Sequence, residues 1–244
     1  MSRKKRFVSA VLTFLLLFRF FVLPCAAEVK VYRSVETVKK QIALTFDDGP
    51  NGTMLTMVDS FKEYNGKCTF FPIGSKINQG QAVYLNYALE NGFQIGSHSN
   101  THTAFTTYTT KEELLKEFND FNTALYDVCE INATCLRLPG GSGNEFIYET
   151  FKEAEIPLIH GIGIGDWDGS SKNTQDIIES VLKTAADGRI LVMHSTEKTA
   201  LALKTILPEL EKQGYEFVTV AELFNRKGYL EIPLGYQVEK AEQQ

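Results

Sequence analysis

The stretch Ile42-Ala43-Leu44-Thr45-Phe46-Asp47-Asp48-Gly49-Pro50 places two adjacent carboxylates at the end of an apolar run. The run predicts a buried strand, and Gly-Pro predicts the loop that leaves it. Charged side chains are rarely buried without partners, so a bound metal ion or a catalytic role would account for Asp47 and Asp48. On the pair alone, we favour the plainer interpretation, a solvated loop in which one aspartate caps the next helix.

The rest of the chain alternates apolar, β-rich runs with helical patterns. We predict strands at 41–46, 68–73, 94–96, 134–138, 157–162, 189–193 and 217–220. We predict helices near 54–64, 81–91, 111–128, 145–154, 175–186 and 199–213. Strict alternation indicates a parallel sheet, so we expect an α/β fold, a distorted (β/α) barrel of about seven parallel strands in a single domain. A doubly wound open sheet is the alternative.

The N-terminal residues follow the pattern of an export signal. Lys4-Lys5-Arg6 precedes an apolar run, and Cys25-Ala26-Ala27 supplies the small residues that signal peptidase needs. We therefore predict a secretory signal peptide at 1–27, with an uncleaved N-terminal anchor as the alternative. A main domain over 38–225 and a C-terminal extension over 226–244 would follow. We expect a protein that is secreted or associated with the cell wall, or held at the membrane by the uncleaved segment.

Charge and cysteine content exclude some functions. The formal net charge is −5 and no basic run follows the N-terminal segment, so nucleic-acid binding has no electrostatic support. Export makes a disulfide between Cys129 and Cys135 possible, whereas Cys68 lies in a strand-like run and is expected to be a core thiol. Without a Cys-x-x-Cys pair, we expect no zinc site made of thiolates.

In a parallel barrel, the residues that carry chemistry lie at the carboxyl ends of the strands. Polar residues follow five of the predicted strands in this chain: Asp47 and Asp48, His98 and His102, Arg137, Asp166 and Trp167, and His194. This distribution predicts one site at one end of the barrel.

His98 and His102 are separated by three residues, a spacing that suits one tetrahedral ion. Structural histidines are the common alternative for such a pair. One carboxylate of the pair Asp47 and Asp48 would complete a set of two histidines and one aspartate with open positions, as a catalytic zinc needs. The other carboxylate would then be free to act as a general base.

Other polar residues allow a catalytic and a plain structural interpretation. His194 is either a general acid or a histidine at the edge of the core. Arg137 either pairs with the spare carboxylate or is a surface arginine, and Asp166 either stiffens that network or is a loop carboxylate. Trp167 either forms a wall of a sugar site or belongs to the core. His160 lies outside these loops, and we interpret it as structural.

Taken together, these residues resemble the polysaccharide deacetylases of carbohydrate esterase family four, the nodulation-type chitooligosaccharide deacetylase domain. The similarity covers roughly residues 41–224. The family's T-F-D-D-G-P motif stands unaltered at 45–50, its H-[ST]-x-x-H motif is met in full at 98–102, and 69–74 resembles its second strand.

The resemblance implies a role for each site residue. Asp47 would be the general base, and Asp48, His98 and His102 would hold a divalent metal, usually zinc, with cobalt or another ion as alternatives. His194 would be the general acid, Arg137 would tether Asp47, and Asp166 would support the Arg137 and His194 network. The implied substrate-binding residues are Pro139, Gly140, Trp167 and Val192; Gly140 would offer its backbone N–H to the oxyanion, and Val192 stands where leucine usually lines the pocket of the acetyl methyl group.

The implied activity is hydrolysis of N-acetyl groups, with metal-bound water as the nucleophile. The expected substrate is a polymer of N-acetylglucosamine, foremost peptidoglycan, since an exported chain meets that polymer first, with chitin oligomers as a close alternative. We expect a monomer. The competing functions are an acetyl xylan esterase that uses the same site and a carbohydrate-binding protein without catalytic activity.

Overall fold

The computed structural model describes residues 32–37 and 39–225, so the predicted segments 1–27 and 226–244 lie outside the described residues. The strands are β1 Gln41–Asp47, β2 Thr69–Phe71, β3 Gln94–Ile95, β4 Ile162–Gly163, β5 Ile190–His194 and β6 Glu216–Phe217. The helices are α1 Thr53–Lys62, α2 Ala82–Glu90, α3 Lys111–Cys129, α4 Glu145–Glu153, α5 Thr174–Thr184, α6 Glu197–Lys212 and α7 Val220–Asn225.

The strands form one parallel sheet in the order β3-β2-β1-β5-β4, and β6 pairs with the start of β1. Isolated parallel bridges join Ser97 to Leu136 and Leu136 to Leu158, so the chain also connects the β3 side of the sheet to the segment that leads into β4. A parallel sheet curled in this way confirms the predicted α/β class and is consistent with a distorted barrel in a single domain.

Two predicted strands are shorter or displaced in the structure. Residues 134–138 contribute only the bridges at Leu136, and the strand expected at 157–162 is found at Ile162–Gly163. Pro139 and Pro157 have no backbone N–H to donate to a neighbouring strand, which limits regular pairing at both places.

The predicted strand at 217–220 was wrong at its end. The strand stops at Phe217, and helix α7 begins at Val220. Thr219 Oγ1 accepts a hydrogen bond from the backbone N–H of Glu222, and the Glu222 carboxylate accepts one from the N–H of Thr219. This reciprocal cap is the Thr-x-x-Glu signature of a helix start, and it was readable in the sequence.

The core lies on both faces of the sheet. All seven residues of β1 are buried, as expected for a central strand that is covered by helices on either side. Capping boxes also fix the starts of two other helices, at Thr110 and Glu113 for α3 and at Asn173 and Asp176 for α5. Within 32–37 and 39–225, none of the helices combines the length and the apolar composition that a membrane crossing requires.

The cysteines of the described chain are free thiols. The possible bridge between Cys129 and Cys135 is therefore not formed. Cys129 lies on the last turn of α3, whereas Cys135 is buried in the core next to Leu136, in the segment that bridges Ser97. Cys68 is buried, as predicted for a core thiol.

Candidate active site

The carboxyl ends of β1 and β5 bring the predicted base and acid together. Asp47 is the last residue of β1 and pairs in register with His194, the last residue of β5. Asp47 is buried and His194 is partly buried. The sequence could place each residue at a strand end, but their adjacency follows from the strand order, in which β5 lies beside β1.

The loops that carry the predicted metal ligands adopt an uncommon backbone conformation. Asp48 has φ 75°, His102 has φ 62° and Ser99 has φ 65°. In a residue with a side chain, this left-handed conformation costs about 1 kcal/mol. Such conformations persist where the surrounding structure enforces them, and they are concentrated at functional sites. At Asp48 the left-handed turn takes the chain out of β1 while its carboxylate stays at the site.

Asp48, His98 and His102 form a compact set of ligand atoms. Asp48 Oδ1 lies 3.3 Å from His102 Nε2 and 3.7 Å from His98 Nε2, and the ligand atoms of all three residues lie within 4.8 Å of one another. His98 Nδ1 lies 2.9 Å from the carbonyl oxygen of Arg137. A hydrogen bond from Nδ1–H to that carbonyl leaves the Nε2 lone pair directed at the cluster.

The electrostatics of the cluster also fit a divalent cation. Asp48 Oδ1 is buried and makes no hydrogen bond. Burial alone would raise the pKa of Asp48, but the facing imidazoles of His102, His98 and His194 outweigh it and lower that pKa to about 2. Burial lowers the pKa of His98, which favours the neutral form that binds a metal. An anionic carboxylate and two imidazoles are a ligand set that zinc and related ions accept.

Glu117, which the sequence reasoning missed, holds the loop that carries both histidines. It projects from α3, is 7% exposed, and accepts hydrogen bonds from the backbone N–H groups of Asn100 at 2.9 Å and Thr101 at 2.8 Å. Its other oxygen accepts from the hydroxyls of Thr101 and Tyr108. The sequence did contain a sign of this role, because Glu117 is the one acidic residue on the buried face of α3. The other buried residues of that face are apolar: Leu114, Phe118, Phe121 and Leu125.

Arg137 and Asp47 form a buried ion pair. Arg137 Nη1 donates to Asp47 Oδ1 at 2.8 Å and to Thr45 Oγ1 at 2.7 Å, and its Nε donates to the carbonyl oxygen of Ile159. The guanidinium also lies over the ring of Phe71, 4.0 Å from its centroid. Arg137 is therefore a buried tether for Asp47, as the resemblance implied, and the second oxygen of Asp47 lies 3.8 Å from His98 Nε2.

Asp166 orients His194. Asp166 Oδ1 lies 3.0 Å from His194 Nδ1, and Oδ2 accepts hydrogen bonds from the backbone N–H of His194 and from Thr199 Oγ1. Burial lowers the pKa of His194, but the hydrogen bond with Asp166 and the charges of Asp47, Asp166 and Asp48 raise it above its ordinary value. With Nδ1 bound to Asp166, Nε2 faces the ligand cluster, 4.0 Å from Asp48 Oδ2.

One cleft of about 630 Å³ is lined by six of these residues, Asp47, Asp48, His98, His102, Arg137 and His194. Of the predicted substrate-binding residues, Gly140, Trp167 and Val192 line it, whereas Pro139 is buried and the neighbouring Leu138 lines the cleft. The Trp167 side chain is 52% exposed and meets the His194 ring edge-on, so it forms a wall and is not part of the core. His160 was interpreted as structural; it is buried, but it too lines the cleft.

Comparisons with known proteins agree with the motifs. The family model described as polysaccharide deacetylase matches residues 34–159. The peptidoglycan-N-acetylglucosamine deacetylase PgdA of Listeria monocytogenes is 36% identical over 208 residues, which are 84% of this chain and 43% of that protein. This chain therefore spans less than half the length of that relative. A peptidoglycan-N-acetylglucosamine deacetylase of Bacillus cereus is 33% identical over 199 residues, 78% of this chain and 90% of that protein.

A solved structure also shows similarity to an enzyme of this family. The family 4 acetyl xylan esterase of Clostridium thermocellum, in complex with a cobalt ion, superposes with a TM-score of 0.72 at 28% identity, covering 80% of this chain and 95% of that one. The chain therefore belongs to the polysaccharide deacetylase family, carbohydrate esterase family four.

Proposed function

We propose that this protein is a metal-dependent deacetylase that hydrolyses the N-acetyl groups of N-acetylglucosamine polymers, foremost peptidoglycan. The observation that carries the proposal is that three kinds of group meet at one cleft. These are the candidate metal-binding set, the Asp47 carboxylate paired with Arg137, and the His194 imidazole paired with Asp166. Two similar proteins that are named for deacetylation of peptidoglycan N-acetylglucosamine support this choice of substrate.

Asp48, His98 and His102 would hold the metal, for which we propose zinc, with cobalt as an alternative supported by the cobalt complex of the similar esterase. When bound, such an ion supplies Lewis acidity that polarises a carbonyl group and lowers the pKa of water.

The residues of the chain supply the proton transfers. Asp47, fixed by Arg137, accepts the proton of the attacking water, and its Oδ2 lies on the side of the cluster, 3.8 Å from His98 Nε2. His194 donates a proton from Nε2 to the departing amine while Asp166 accepts from Nδ1. Each such group typically contributes 10²–10⁴-fold to the rate. We assign the oxyanion contact to the N–H of Gly140 and the acetyl methyl contact to Val192.

The test is the release of acetate from a panel of acetylated glycans by the purified protein: peptidoglycan, N-acetylated chitooligosaccharides and O-acetylated xylan. Each reaction is run after chelation and after zinc or cobalt is restored. We expect release from peptidoglycan or the chitooligosaccharides, loss on chelation and recovery with metal. The absence of release from both substrates by metal-loaded protein would overturn the proposal.

Acetyl xylan esterase activity is the second candidate, favoured by the structural similarity to the esterase of Clostridium thermocellum. The same panel separates the two candidates, because an esterase would release acetate from xylan faster than from the N-acetylated glycans. A carbohydrate-binding protein without catalytic activity would bind glycan and release no acetate. The buried pairs Asp47–Arg137 and Asp166–His194 favour an enzyme, since binding alone needs neither.

We also propose that the protein is a monomer that acts outside the cytoplasm, secreted or associated with the cell wall. The charged and apolar pattern of residues 1–27 supports this location. Fractionation of producing cells and N-terminal sequencing of the product test it, because cleavage after Ala27 indicates a secreted form and an intact N-terminus in the membrane fraction indicates an anchor. Sedimentation of the purified protein tests the monomer.

A further inference from the structure

One wall of the cleft is formed by residues that the proposed chemistry does not use. We call it the Arg33 wall: Arg33, His160, Gly161 and Gly163, all of which line the cleft. The segment that carries Arg33 is fixed by its backbone. The carbonyl oxygen of Tyr32 accepts from the N–H of His160, and the carbonyl oxygen of Arg33 accepts from the N–H of Ile190.

Among the residues that the structure describes, the exposed side chain of Arg33 has no protein partner. Within 32–37 and 39–225, its guanidinium makes no hydrogen bond or ion pair, although it lines the cleft. Arg137, the other arginine of the cleft, is instead buried and bound to Asp47, Thr45 and Ile159. The charge of Arg137 is thus compensated within the protein, while that of Arg33 is available to a ligand.

His160 adds a second group without a partner to the same wall. It is 6% exposed, and its Nε2 is buried without a hydrogen bond. Burial, Arg137 and Arg33 together lower the pKa of His160 to about 4, so the imidazole is neutral near pH 7. A buried polar atom without a partner is unusual in a folded protein and suggests a site that a ligand completes.

The Arg33 wall borders open space at Gly163. At Gly163 a Cβ atom would meet nothing within 4 Å, which indicates open space in the cleft. Trp167 and Asp168 also line the cleft. The lining therefore combines the cation of Arg33 with an aromatic ring and an acidic residue.

We propose that the Arg33 wall binds a carboxylate carried by the glycan, so that the protein prefers N-acetylated glycans with anionic substituents over neutral ones. The inference rests on the proposed function and concerns the substrate class of the same site. A guanidinium binds a carboxylate by paired, charge-assisted hydrogen bonds, which a neutral sugar cannot replace. In peptidoglycan the carboxylate has two sources, the lactyl ether of muramic acid and the peptide attached to it.

The experiment compares Arg33→Gln with the wild-type protein on three N-acetylated probes of matched length. These are a neutral chitooligosaccharide, a peptidoglycan fragment stripped of peptide so that its lactyl carboxylate is free, and a fragment that keeps its peptide. We expect the preference for the carboxylated fragment, as a ratio of kcat/KM values, to fall about tenfold in the variant, mainly through KM. The fragment that shows the loss identifies the source of the carboxylate.

Binding is measured in parallel by the fluorescence of Trp167, the single tryptophan of the chain, which lies in the cleft. This readout needs no turnover, so it tests the Arg33 wall even if acetate release fails and the proposed function is wrong. We expect the dissociation constant of a carboxylated fragment to rise about tenfold in Arg33→Gln, with a smaller difference at high salt.

Two further variants serve as controls. Lys204→Gln removes the same charge from an exposed position that does not line the cleft and should leave the preference unchanged. Gly163→Leu fills the open space beside Gly163 and should weaken binding of the carboxylated fragments. An unchanged preference and an unchanged dissociation constant in Arg33→Gln, with the fold intact by thermal unfolding, would overturn the inference.

Discussion

Asp166 and Asp48 both face the ring of His194, but they differ in how many hydrogen bonds their carboxylate oxygens accept. Asp166 accepts from the N–H of His194 and from Thr199, and it pairs with His194 Nδ1. Asp48 Oδ1 is also buried, yet it has no hydrogen-bond partner. A buried carboxylate oxygen without a hydrogen bond is costly unless a cation faces it. The acid–base groups are thus held by partners within the protein, whereas the cluster of Asp48, His98 and His102 fits the proposed metal ion.

The backbone shows the same contrast. Asp47 and His194 end regular paired strands, and their partners Arg137 and Asp166 are buried. Asp48 and His102 instead have left-handed backbones in loops. We call Asp47, Arg137, His194 and Asp166 the acid–base half of the site, and Asp48, His98 and His102 the ligand half. We infer that the acid–base half is held by its own hydrogen bonds, whereas the ligand half depends on support such as that from Glu117. The following predictions test this division.

The largest effect is expected in the ligand half. Asp48→Asn removes the anionic ligand but keeps its shape, and Asn tolerates a left-handed backbone, so the fold should persist. We expect metal content to fall from about one equivalent to background and acetate release to fall to the level of chelated wild type. Elemental analysis of dialysed protein and acetate release are the measurements. Wild-type metal content in the variant would remove Asp48 from the ligand set.

The acid–base half should lose activity and keep its metal. Asp47→Asn removes the proposed base, and we expect kcat to fall about 10²–10⁴-fold with metal content unchanged. Parallel kinetics and elemental analysis of the variant separate the two properties. Loss of metal together with activity would show that the two halves are not independent, because Asp47 would then be a ligand as well.

Glu117 should act on the ligand half from a distance. In Glu117→Gln only one side-chain oxygen can accept from the loop, and we expect metal affinity to fall about 10–100-fold, the usual range when a group that orients metal ligands is lost. Competition titration with a chromogenic chelator measures it. Glu112→Gln, an exposed acid on the same helix, is the matched control and should leave the affinity unchanged. Equal affinities in both variants would contradict the support role.

The smallest effect is a change in pH dependence. A general acid must be protonated, so kcat should fall as the pH rises through the pKa of His194, which Asp166 raises. In Asp166→Asn that pKa falls, and the alkaline loss of activity should begin at a lower pH, by about one unit, equivalent to about 1.36 kcal/mol. The pH profile of kcat is the measurement, with the exposed Asp127→Asn as control. If the alkaline limb of the pH profile does not shift in Asp166→Asn, then Asp166 does not set the pKa of the general acid.

The sequence by itself determined the fold class, the strand ends that carry the chemistry and the family, because strand and helix periodicity and the motifs at 45–50 and 98–102 are local patterns. It also predicted Asp48, His98 and His102 as a metal-binding set, and the structure brings their potential ligand atoms within 4.8 Å of one another.

Tertiary structure alone decided which distant groups meet. The support of the histidine loop by Glu117, the free thiols at Cys129 and Cys135 and the place of Arg33 in the cleft all depend on how separate segments pack. The physical reason is that hydrogen bonds and ion pairs over long sequence separations leave no periodic signal in the chain. They are fixed only when the sheet order brings the strand ends together.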